Sequence, residues 1–221
     1  MRRSHLDEQR VVGDFKKFCS TGFGKEVMRH EAGYVRRWLA GAGRVLDVGC
    51  GIGQLEADLP DMDITGLDAS RAMVSEARRR SGKQYVLGDA CRLPFRDGSH
   101  DGVVSVTTLE FLEDPRMALA EMWRVSEPGG RVMLLILNPR SDYFRRHFAD
   151  PSSYFGRVRQ TDLGKMRGYV SALFDVQREE FMLGVRGGRV FRTRDERWAS
   201  IFAMAGQKGA RKTISARQPL G

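Results

Sequence analysis

Short apolar runs alternate with amphipathic stretches between residues 44 and 137. The runs have the length of strands that are buried on both faces, and the stretches between them have helical periodicity. This alternation is typical of a parallel sheet with helices packed on both faces. The strands predicted from the runs cover residues 44–48, 64–67, 85–87, 101–106 and 131–137.

Capping residues mark where the helices between these strands begin. Ser70 is an N-cap residue ahead of a helix predicted over residues 71–80, which presents apolar Met73, Val74 and Ala77 on one side. Its last turn is a run of arginines, which the helix dipole favours at a carboxyl end. Asp114 and Pro115 predict the start of the helix after the fourth strand, with proline in its first turn.

The chain ahead of the first strand predicts two amphipathic helices, one short and one longer. Aromatic and apolar residues recur there at near-helical spacing, interrupted at Gly22 and Gly24. These residues are Phe15, Phe18, Phe23, Val27, Tyr34, Val35, Trp38 and Leu39. Most of them are predicted to be packing residues.

After residue 137 the pattern is less regular. A loop interrupted by Pro139 is followed by a helix that Thr161 would cap and that would run to about residue 173. A sixth strand is predicted over 175–183 and another helix over 194–205.

Composition limits the classes of protein that fit. A chain of 221 residues and 24.9 kDa can bury a core within one domain. No apolar run approaches the length of a membrane span, and the first residues lead into charged sequence and not into a signal-peptide core, so a cytoplasmic location is expected. Cys19, Cys50 and Cys91 are scattered, which argues against a disulfide framework and against a zinc site.

Charge is concentrated in the C-terminal third. Residues 1–139 carry 20 basic and 20 acidic side chains, whereas residues 140–221 carry 17 and 8, so the whole net charge of +9 lies in that third. Such a face is either simply solvated or attracts nucleic acid, anionic lipid or an anionic substrate. Arginines at 186, 189, 192, 194 and 197 alternate with glycine and apolar residues, which indicates a mobile or hairpin element and not a recognition helix.

A glycine-rich loop follows the first strand and is the strongest chemical signal in the chain. Residues 45–53 read Val-Leu-Asp-Val-Gly-Cys-Gly-Ile-Gly, and Asp68 ends the next strand. Glycines let the backbone approach a bulky ligand, and a carboxylate after the second strand can accept hydrogen bonds from ribose hydroxyls. A dinucleotide loop requires Gly-x-Gly-x-x-Gly, but Gln54 stands at its third glycine position, so a nucleoside without pyrophosphate fits better than NAD.

Five segments in order over residues 45–137 resemble the motifs of the class I S-adenosylmethionine-dependent methyltransferases, in particular the small methyltransferase type 11 group. The glycine loop resembles motif I, residues 66–70 the second motif and residues 88–95 the motif on the adenine side. Residues 101–106 resemble the fourth strand, and residues 121–125 with Pro128, Gly129 and Gly130 resemble the helix and turn before strand five.

The resemblance implies an α/β fold: a Rossmann-like three-layer sandwich whose mostly parallel, seven-stranded sheet has an antiparallel C-terminal strand. That strand would lie within residues 210–216 and pair with the sixth. Residues 1–221 would form a single domain, with a helical cap (1–43), a cofactor-binding core (44–137) and a basic acceptor side (138–221). The implied cofactor is S-adenosyl-L-methionine, which leaves as S-adenosyl-L-homocysteine; no metal is expected.

The resemblance also implies the cofactor-binding residues. Asp47 would orient the glycine loop and help hold the methionine ammonium, and Asp68 would contact the ribose. Asp89 would lie near the adenine amine, and Thr107 would contact the cofactor or fill space. The full predicted set is Asp47, Gly49, Cys50, Gly51, Gly53, Asp68, Ala69, Asp89, Ala90 and Thr107. The helical cap of such proteins lines part of the acceptor site, which makes Phe18, Phe23 and His30 pocket candidates.

Catalysis has a weaker signature. Methyl transfer from a sulfonium is an in-line substitution on an activated carbon, so alignment of the nucleophile can supply most of the acceleration. Many relatives carry a histidine pair after the fourth strand, where this chain has Glu110 and Phe111. Glu110 is the candidate general base or holder of a cationic amine; alternatively it bonds a loop backbone or the cofactor ammonium.

The predicted function is methyl transfer to a small organic acceptor through an oxygen, nitrogen or carbon nucleophile. A nucleic-acid methyltransferase is a second hypothesis, based on the basic C-terminal third, and a non-catalytic cofactor-binding regulatory protein is a third, based on Glu110 in place of histidine. The sequence predicts no oligomeric state.

Overall fold

The computed structural model describes residues 5–150 and 153–209, and within them eight strands form one sheet. The strands are β1 Arg44–Val48, β2 Asp63–Asp68, β3 Gln84–Leu87, β4 His100–Val106, β5 Ser126–Leu137, β6 Phe174–Arg186, β7 Arg189–Phe191 and β8 Ala199–Lys208. Their order across the sheet is β3-β2-β1-β4-β5-β8-β6-β7. The first five strands pair with one another in parallel, whereas β8 is antiparallel to both β5 and β6.

Helices cover both faces of this sheet. They are α1 His5–Ser20, α2 Gly22–Leu39, α3 Gln54–Asp58, α4 Arg71–Arg80, α5 Pro115–Val125, α6 Asp142–Phe148 and α7 Leu163–Leu173, with 3₁₀ turns at Leu109–Phe111 and Phe155–Arg157. Adjacent strand residues face opposite layers. Val103 packs in one core with Met122 of α5, and Val104 packs in the other with Val35 of α2. The predicted Rossmann-like three-layer sandwich is therefore confirmed.

The strand order fixes where a ligand can enter. The chain moves outward from β1 through β2 to β3 and then returns to place β4 on the other side of β1. Loops after β1 and β4 consequently part in opposite directions and leave a crevice at the carboxyl ends of the strands. The glycine loop follows β1 and Thr107 follows β4, so both border this crevice.

Local capping explains several helix starts. The Ser70 hydroxyl accepts a hydrogen bond from the Met73 amide at 3.3 Å and begins α4 as predicted. The Asp114 carboxylate caps α5, with Pro115 in its first turn. Thr161 was expected to cap α7, but Asp162 does so and accepts from the Lys165 amide at 3.0 Å. The carboxylate is the stronger acceptor, and the helix begins one residue later.

The C-terminal part differs from the prediction in three ways. The helix predicted over 194–205 is wrong, because β8 occupies most of that range and is buried along most of its length between β5 and β6. The sheet has eight strands and not seven, since β7 pairs with β6 through a Gly187-Gly188 turn whose φ values are 58° and 72°. The strand predicted within 210–216 lies outside the described residues.

The N-terminal region has two helices, as predicted, but the first is nearly as long as the second. α1 has 16 residues and α2 has 18. The break falls at Thr21, whose hydroxyl accepts from the Gly24 amide at 2.9 Å, so Gly24 lies within α2 and does not interrupt it. No helix in the described ranges has the length and apolarity needed to cross a membrane.

Candidate active site

Two adjoining cavities open at the crevice. The first, which we call the loop cavity, has a volume of about 410 Å³ and is walled by the glycine loop, the end of β2 and residues 106–108. The second, which we call the aromatic cavity, has a volume of about 180 Å³ and lies between α1, α2 and the side chains of Tyr143, Tyr154, Phe155 and Arg157.

The glycine loop holds a conformation that side chains would oppose. The Gly49 and Cys50 amides both donate to the Leu67 carbonyl, at 2.7 and 3.0 Å, which folds the loop back over the end of β2. Gly49 has a φ of 90°, and a Cβ there would lie 2.2 Å from the Thr108 Oγ1. Gly51 has a φ of 54°, and a Cβ there would meet only Phe15, at 3.7 Å. The first glycine is required by the protein itself, and the second leaves space in the loop cavity.

Asp68 connects the loop to the end of β2. Its Oδ2 accepts from the Gly51 amide at 3.0 Å and its Oδ1 accepts from the Ser70 amide at 2.8 Å. The carboxylate also forms part of the loop cavity wall. Asp68 is thus held rigidly at the position where a ribose would be recognised.

Asp47 is a second acid in the wall and is almost fully buried, at 2% exposure. Burial, with the neighbouring Glu56 carboxylate as a further cause, raises the pKa of Asp47 well above its usual value, and burial raises the pKa of Glu56 to about 7. The Asp47 Oδ1 has no hydrogen-bond partner within the described residues. A buried carboxylate oxygen is costly without a partner, and a cationic ligand group would supply one.

The charge of the loop cavity indicates the kind of ligand. Among the described wall residues there are four carboxylates and one guanidinium: Glu31, Asp47, Asp58, Asp68 and Arg157. An acidic wall opposes a pyrophosphate and favours a cation. S-adenosylmethionine carries a sulfonium and an ammonium, so the residues present fit that cofactor better than NAD.

Aromatic side chains dominate the second cavity. They are Phe15, Phe18, Phe23, Tyr143, Tyr154 and Phe155. Phe18 and Phe23 meet edge to face with centroids 6.0 Å apart, and Tyr143 and Phe155 do so at 5.6 Å. This geometry suits a planar apolar guest, because rings can be contacted from both face and edge.

The two cavities share part of their walls. The shared residues are Val11, Phe15, Met28, Glu31, Thr107, Tyr154 and Arg157. Thr107 has a φ of 45°, an uncommon value for a β-branched residue. Its amide donates to the Leu135 carbonyl at 2.7 Å, and its carbonyl accepts from the Tyr154 hydroxyl at 3.4 Å. These bonds hold the strained residue at the junction of the cavities.

Two buried glutamates, Glu31 and Glu110, lie near this junction, but only Glu31 belongs to the cavity walls. Glu31 on α2 is 4% exposed, belongs to both cavity walls and has no hydrogen-bond partner within the described residues. Burial and the charge of Glu110 raise the pKa of Glu31 to about 8. Glu110 is fully buried and belongs to neither wall, and burial raises its pKa to about 7.

The contacts of Glu110 connect three parts of the backbone. Its Oε1 accepts from the Leu137 amide at 2.9 Å, and its carbonyl accepts from the Arg159 and Gln160 amides at 2.8 and 3.0 Å. These bonds fix the end of β5 against the 159–160 segment. A catalytic role for Glu110 stays a prediction, and its contacts favour positioning.

The structure brings most of the predicted cofactor residues to one wall. Asp47, Gly49, Cys50, Gly51, Asp68, Ala69 and Thr107 all line the loop cavity. Gly53 does not; it is the N-cap of α3. Asp89 is exposed and accepts from the Cys91 amide at 2.8 Å, and Ala90 is buried in the core, so their adenine contacts stay predictions.

Two of the three pocket candidates from the helical cap line one of the two cavities, and the third does not. Phe18 and Phe23 line the aromatic cavity, but His30 faces a separate groove between α2 and β6. The residue that the sequence analysis missed is its neighbour Glu31. A signal was available, since Glu31 stands four residues after Val27 and four before Val35 on the buried face of α2. A carboxylate at a helix position reserved for apolar residues indicates a special environment.

Comparisons with known proteins all identify methyltransferases among the proteins that this chain resembles. Residues 46–134 match the family model described as a methyltransferase domain. The demethylmenaquinone methyltransferase of Deinococcus radiodurans is 32% identical over 177 residues, which cover 74% of this chain and 73% of that protein. The protein of the same name from Beutenbergia cavernae is 45% identical over 94 residues, which cover 41% of this chain and 39% of that protein.

A solved structure has the same fold. A protein from Thermotoga maritima described as a SAM-dependent methyltransferase superposes with a TM-score of 0.73, covering 90% of this chain and 97% of that one at 21% identity. At that identity the likeness shows the fold alone.

Proposed function

The chain belongs to the class I S-adenosylmethionine-dependent methyltransferases, and from this premise we propose that it methylates a small, planar, largely apolar acceptor held in the aromatic cavity. S-adenosylmethionine would occupy the loop cavity. The observation that carries the proposal is the shared wall of the two cavities, because an acceptor in one cavity would then lie beside a methyl donor in the other.

For the cofactor, the support is chemical complementarity. Asp68 at the end of β2 suits the ribose hydroxyls, and the unpartnered Asp47 Oδ1 suits an ammonium. Gly51 leaves the backbone open to a ligand. When bound, S-adenosylmethionine supplies a methyl group that is already activated by the sulfonium.

For the acceptor, the support is the composition of the aromatic cavity. Six of its wall residues are aromatic, and Ser200 in the same wall has a hydroxyl that is buried without a partner in the described chain. An acceptor with one ring and a polar substituent would contact the rings and satisfy such a group. The relatives named demethylmenaquinone methyltransferase support a small-molecule acceptor.

The chain's own contribution to the reaction would be alignment and exclusion of water. Both cavity walls include Phe15, Met28 and Tyr154. These side chains would contact acceptor and cofactor at once and hold them next to each other. Holding the reacting atoms in line replaces a bimolecular encounter and can supply a large part of the acceleration.

Calorimetric titration tests the cofactor site. S-adenosylhomocysteine should bind, NAD should not, and Asp68→Ala should weaken binding by about tenfold to a hundredfold, as expected for hydrogen bonds to a charged group. Asp63→Ala is a matched control, since Asp63 begins the same strand at the opposite end of it. Tight NAD binding, or equal binding by the Asp68 and Asp63 variants, would contradict the proposal.

The nucleic-acid alternative keeps one supporting feature, the basic C-terminal third. Several of its arginines are already engaged, because Arg140 pairs with Glu196, Arg167 with Glu179 and Arg178 with Glu180. The alternative requires RNA affinity that falls steeply as salt increases. Binding of a hydroxylated aromatic acceptor that is insensitive to salt would favour the small-molecule proposal instead. Cofactor binding with no turnover of any acceptor would favour the non-catalytic alternative.

A further inference from the structure

The junction of the two cavities holds one buried acid that no hydrogen bond satisfies. Glu31 is 4% exposed, and the described residues provide no donor to its carboxylate. The side chain belongs to the walls of both cavities, so whatever occupies them meets it. Glu110 differs from Glu31 in two respects: its Oε1 accepts from the Leu137 amide, although its Oε2 is buried without a partner, and its side chain belongs to neither cavity wall.

We propose that Glu31 is the general base of this enzyme and receives the proton of an acceptor hydroxyl as the methyl group is transferred. The inference rests on the proposed function, because it requires an acceptor in the aromatic cavity. It assigns the acceptor a specific chemistry, that of a phenol-like hydroxyl.

The step balances without a further reactant. The acceptor O–H bond breaks, its proton moves to a Glu31 carboxylate oxygen, and the electron pair remains on the acceptor oxygen. That oxygen forms a bond to the methyl carbon while the carbon–sulfur bond breaks and leaves its pair on sulfur. Glu31 afterwards releases the proton to solvent through the open side of the cavity.

The environment of Glu31 gives it a pKa that suits a general base. Burial and the charge of Glu110 raise its pKa to about 8, near the pH at which a general base is most effective. Other titratable or charged groups come from several elements around the site: Asp14 and Cys19 of α1, Glu110, Tyr143 of α6, and Tyr154 and Arg157. Burial raises the pKa of Cys19 to about 11 and that of Glu110 to about 7, on either side of Glu31, and it also raises the pKa values of Tyr143 and Tyr154.

A phenol that ionises near neutral pH reports on Glu31 without turnover. The cofactor-free protein would be titrated with 4-nitrophenol from about pH 7 to about pH 9.5, with the bound phenolate followed by its absorbance. The complex of 4-nitrophenolate with protonated Glu31 contains one shared proton. It therefore has the same proton count as the complex of a neutral acceptor hydroxyl with ionised Glu31 before methyl transfer. The affinity should therefore fall about tenfold for each pH unit above the pKa of Glu31, because ionised Glu31 repels the phenolate.

Two variants identify the group responsible. Glu31→Gln keeps the shape and a hydrogen-bond donor but cannot ionise, so its affinity should stay constant over the same range. Glu26→Gln makes the same chemical change on the same helix outside both cavity walls, and should reproduce the fall seen in the wild type. With an acceptor that is turned over, Glu31→Gln should lower kcat by about a hundredfold or more.

The outcomes separate this inference from the proposed function. Binding of 4-nitrophenol with a flat pH profile, or with the same slope in Glu31→Gln, overturns the role of Glu31 and leaves the acceptor cavity intact. Absence of any phenol binding overturns both. If Glu31→Gln does not fold, Glu110→Gln decides, because removal of the Glu110 charge should move the fall in affinity to lower pH. If the pH dependence of 4-nitrophenol affinity is unchanged in Glu110→Gln, the proposed role of Glu31 is refuted.

Discussion

Alanine at Gly49 and alanine at Gly51 should have different consequences, although both glycines belong to the same loop. Both residues have positive φ, at 90° and 54°, so alanine costs about 1–2 kcal/mol of backbone strain at either position. At Gly49 the new methyl group would also lie 2.2 Å from the Thr108 Oγ1, which adds an overpacking cost of about 1–3 kcal/mol. At Gly51 the nearest atom is a Phe15 ring carbon at 3.7 Å, an ordinary contact.

These differences convert into melting temperatures. For a chain of this length, 1 kcal/mol shifts Tm by about 2–4 °C. Gly51→Ala should therefore lower the Tm of the ligand-free protein by roughly 2–8 °C, and Gly49→Ala by roughly 4–20 °C. Circular dichroism on the ligand-free variants measures both values.

Ligand binding should be lost even where stability is mostly kept. The methyl group of Gly51→Ala occupies the loop cavity, so the affinity for S-adenosylhomocysteine should fall by at least about tenfold. Gly33→Ala within α2 is the matched control, since its nearest neighbour is the end of the Arg37 side chain at 4.0 Å. That variant should gain about 0.5–1 kcal/mol of stability.

A double-mutant cycle checks the assigned cause. Thr108→Gly removes the atoms that Gly49→Ala would meet, and should restore part of the stability lost by Gly49→Ala while doing nothing for Gly51→Ala. Equal destabilisation by the two alanine variants, or no rescue by Thr108→Gly, would refute the steric argument.

Three further predictions follow from single contacts. Ser70→Ala removes the cap of α4 and should cost about 1 kcal/mol in urea unfolding. Glu110 has a folded pKa of about 7 against an ordinary value of 4.5, so the native state binds its proton more tightly and stability is lost as pH rises from 4.5 through 7. Glu110→Gln should flatten that part of the stability profile, by up to about 1.4 kcal/mol per pH unit. Phe18→Ala should weaken phenol binding by about twofold to tenfold and leave S-adenosylhomocysteine binding unchanged, because Phe18 lines only the aromatic cavity of the two.

The central strands were predictable because each contains a short run of mostly apolar residues. β1, β2, β4 and the second half of β5 are apolar runs bounded by polar or glycine residues, and the observed bounds differ from the predicted ones by a residue or so at most strand ends. β5 starts earlier than predicted, at Ser126, because the Pro-Gly-Gly turn is included in the strand.

β8 was not predictable in the same way. Its residues Ala199 to Ala205 are buried on both faces, so the alternation that identifies a half-exposed strand is missing. Alanine and methionine there also favour a helix. What makes this segment a strand is pairing with β5 and β6 on either side, a property of distant parts of the chain.

The contrast between Glu31 and Glu110 shows where sequence motifs lose information about chemistry. Glu110 drew attention because it stands at a position where relatives have histidine, yet its side chain turns to the Leu137 amide and away from both cavities. Glu31 lies 79 positions earlier, on a helix outside the matched region 46–134, and it belongs to the walls of both cavities because α2 borders them. The two acids still act on each other, since the charge of Glu110 helps to raise the pKa of Glu31. In our proposal the proton-accepting role belongs to Glu31, a spatial neighbour of the position where relatives carry histidine, and the pH profile of Glu31→Gln is the measurement that distinguishes the two glutamates.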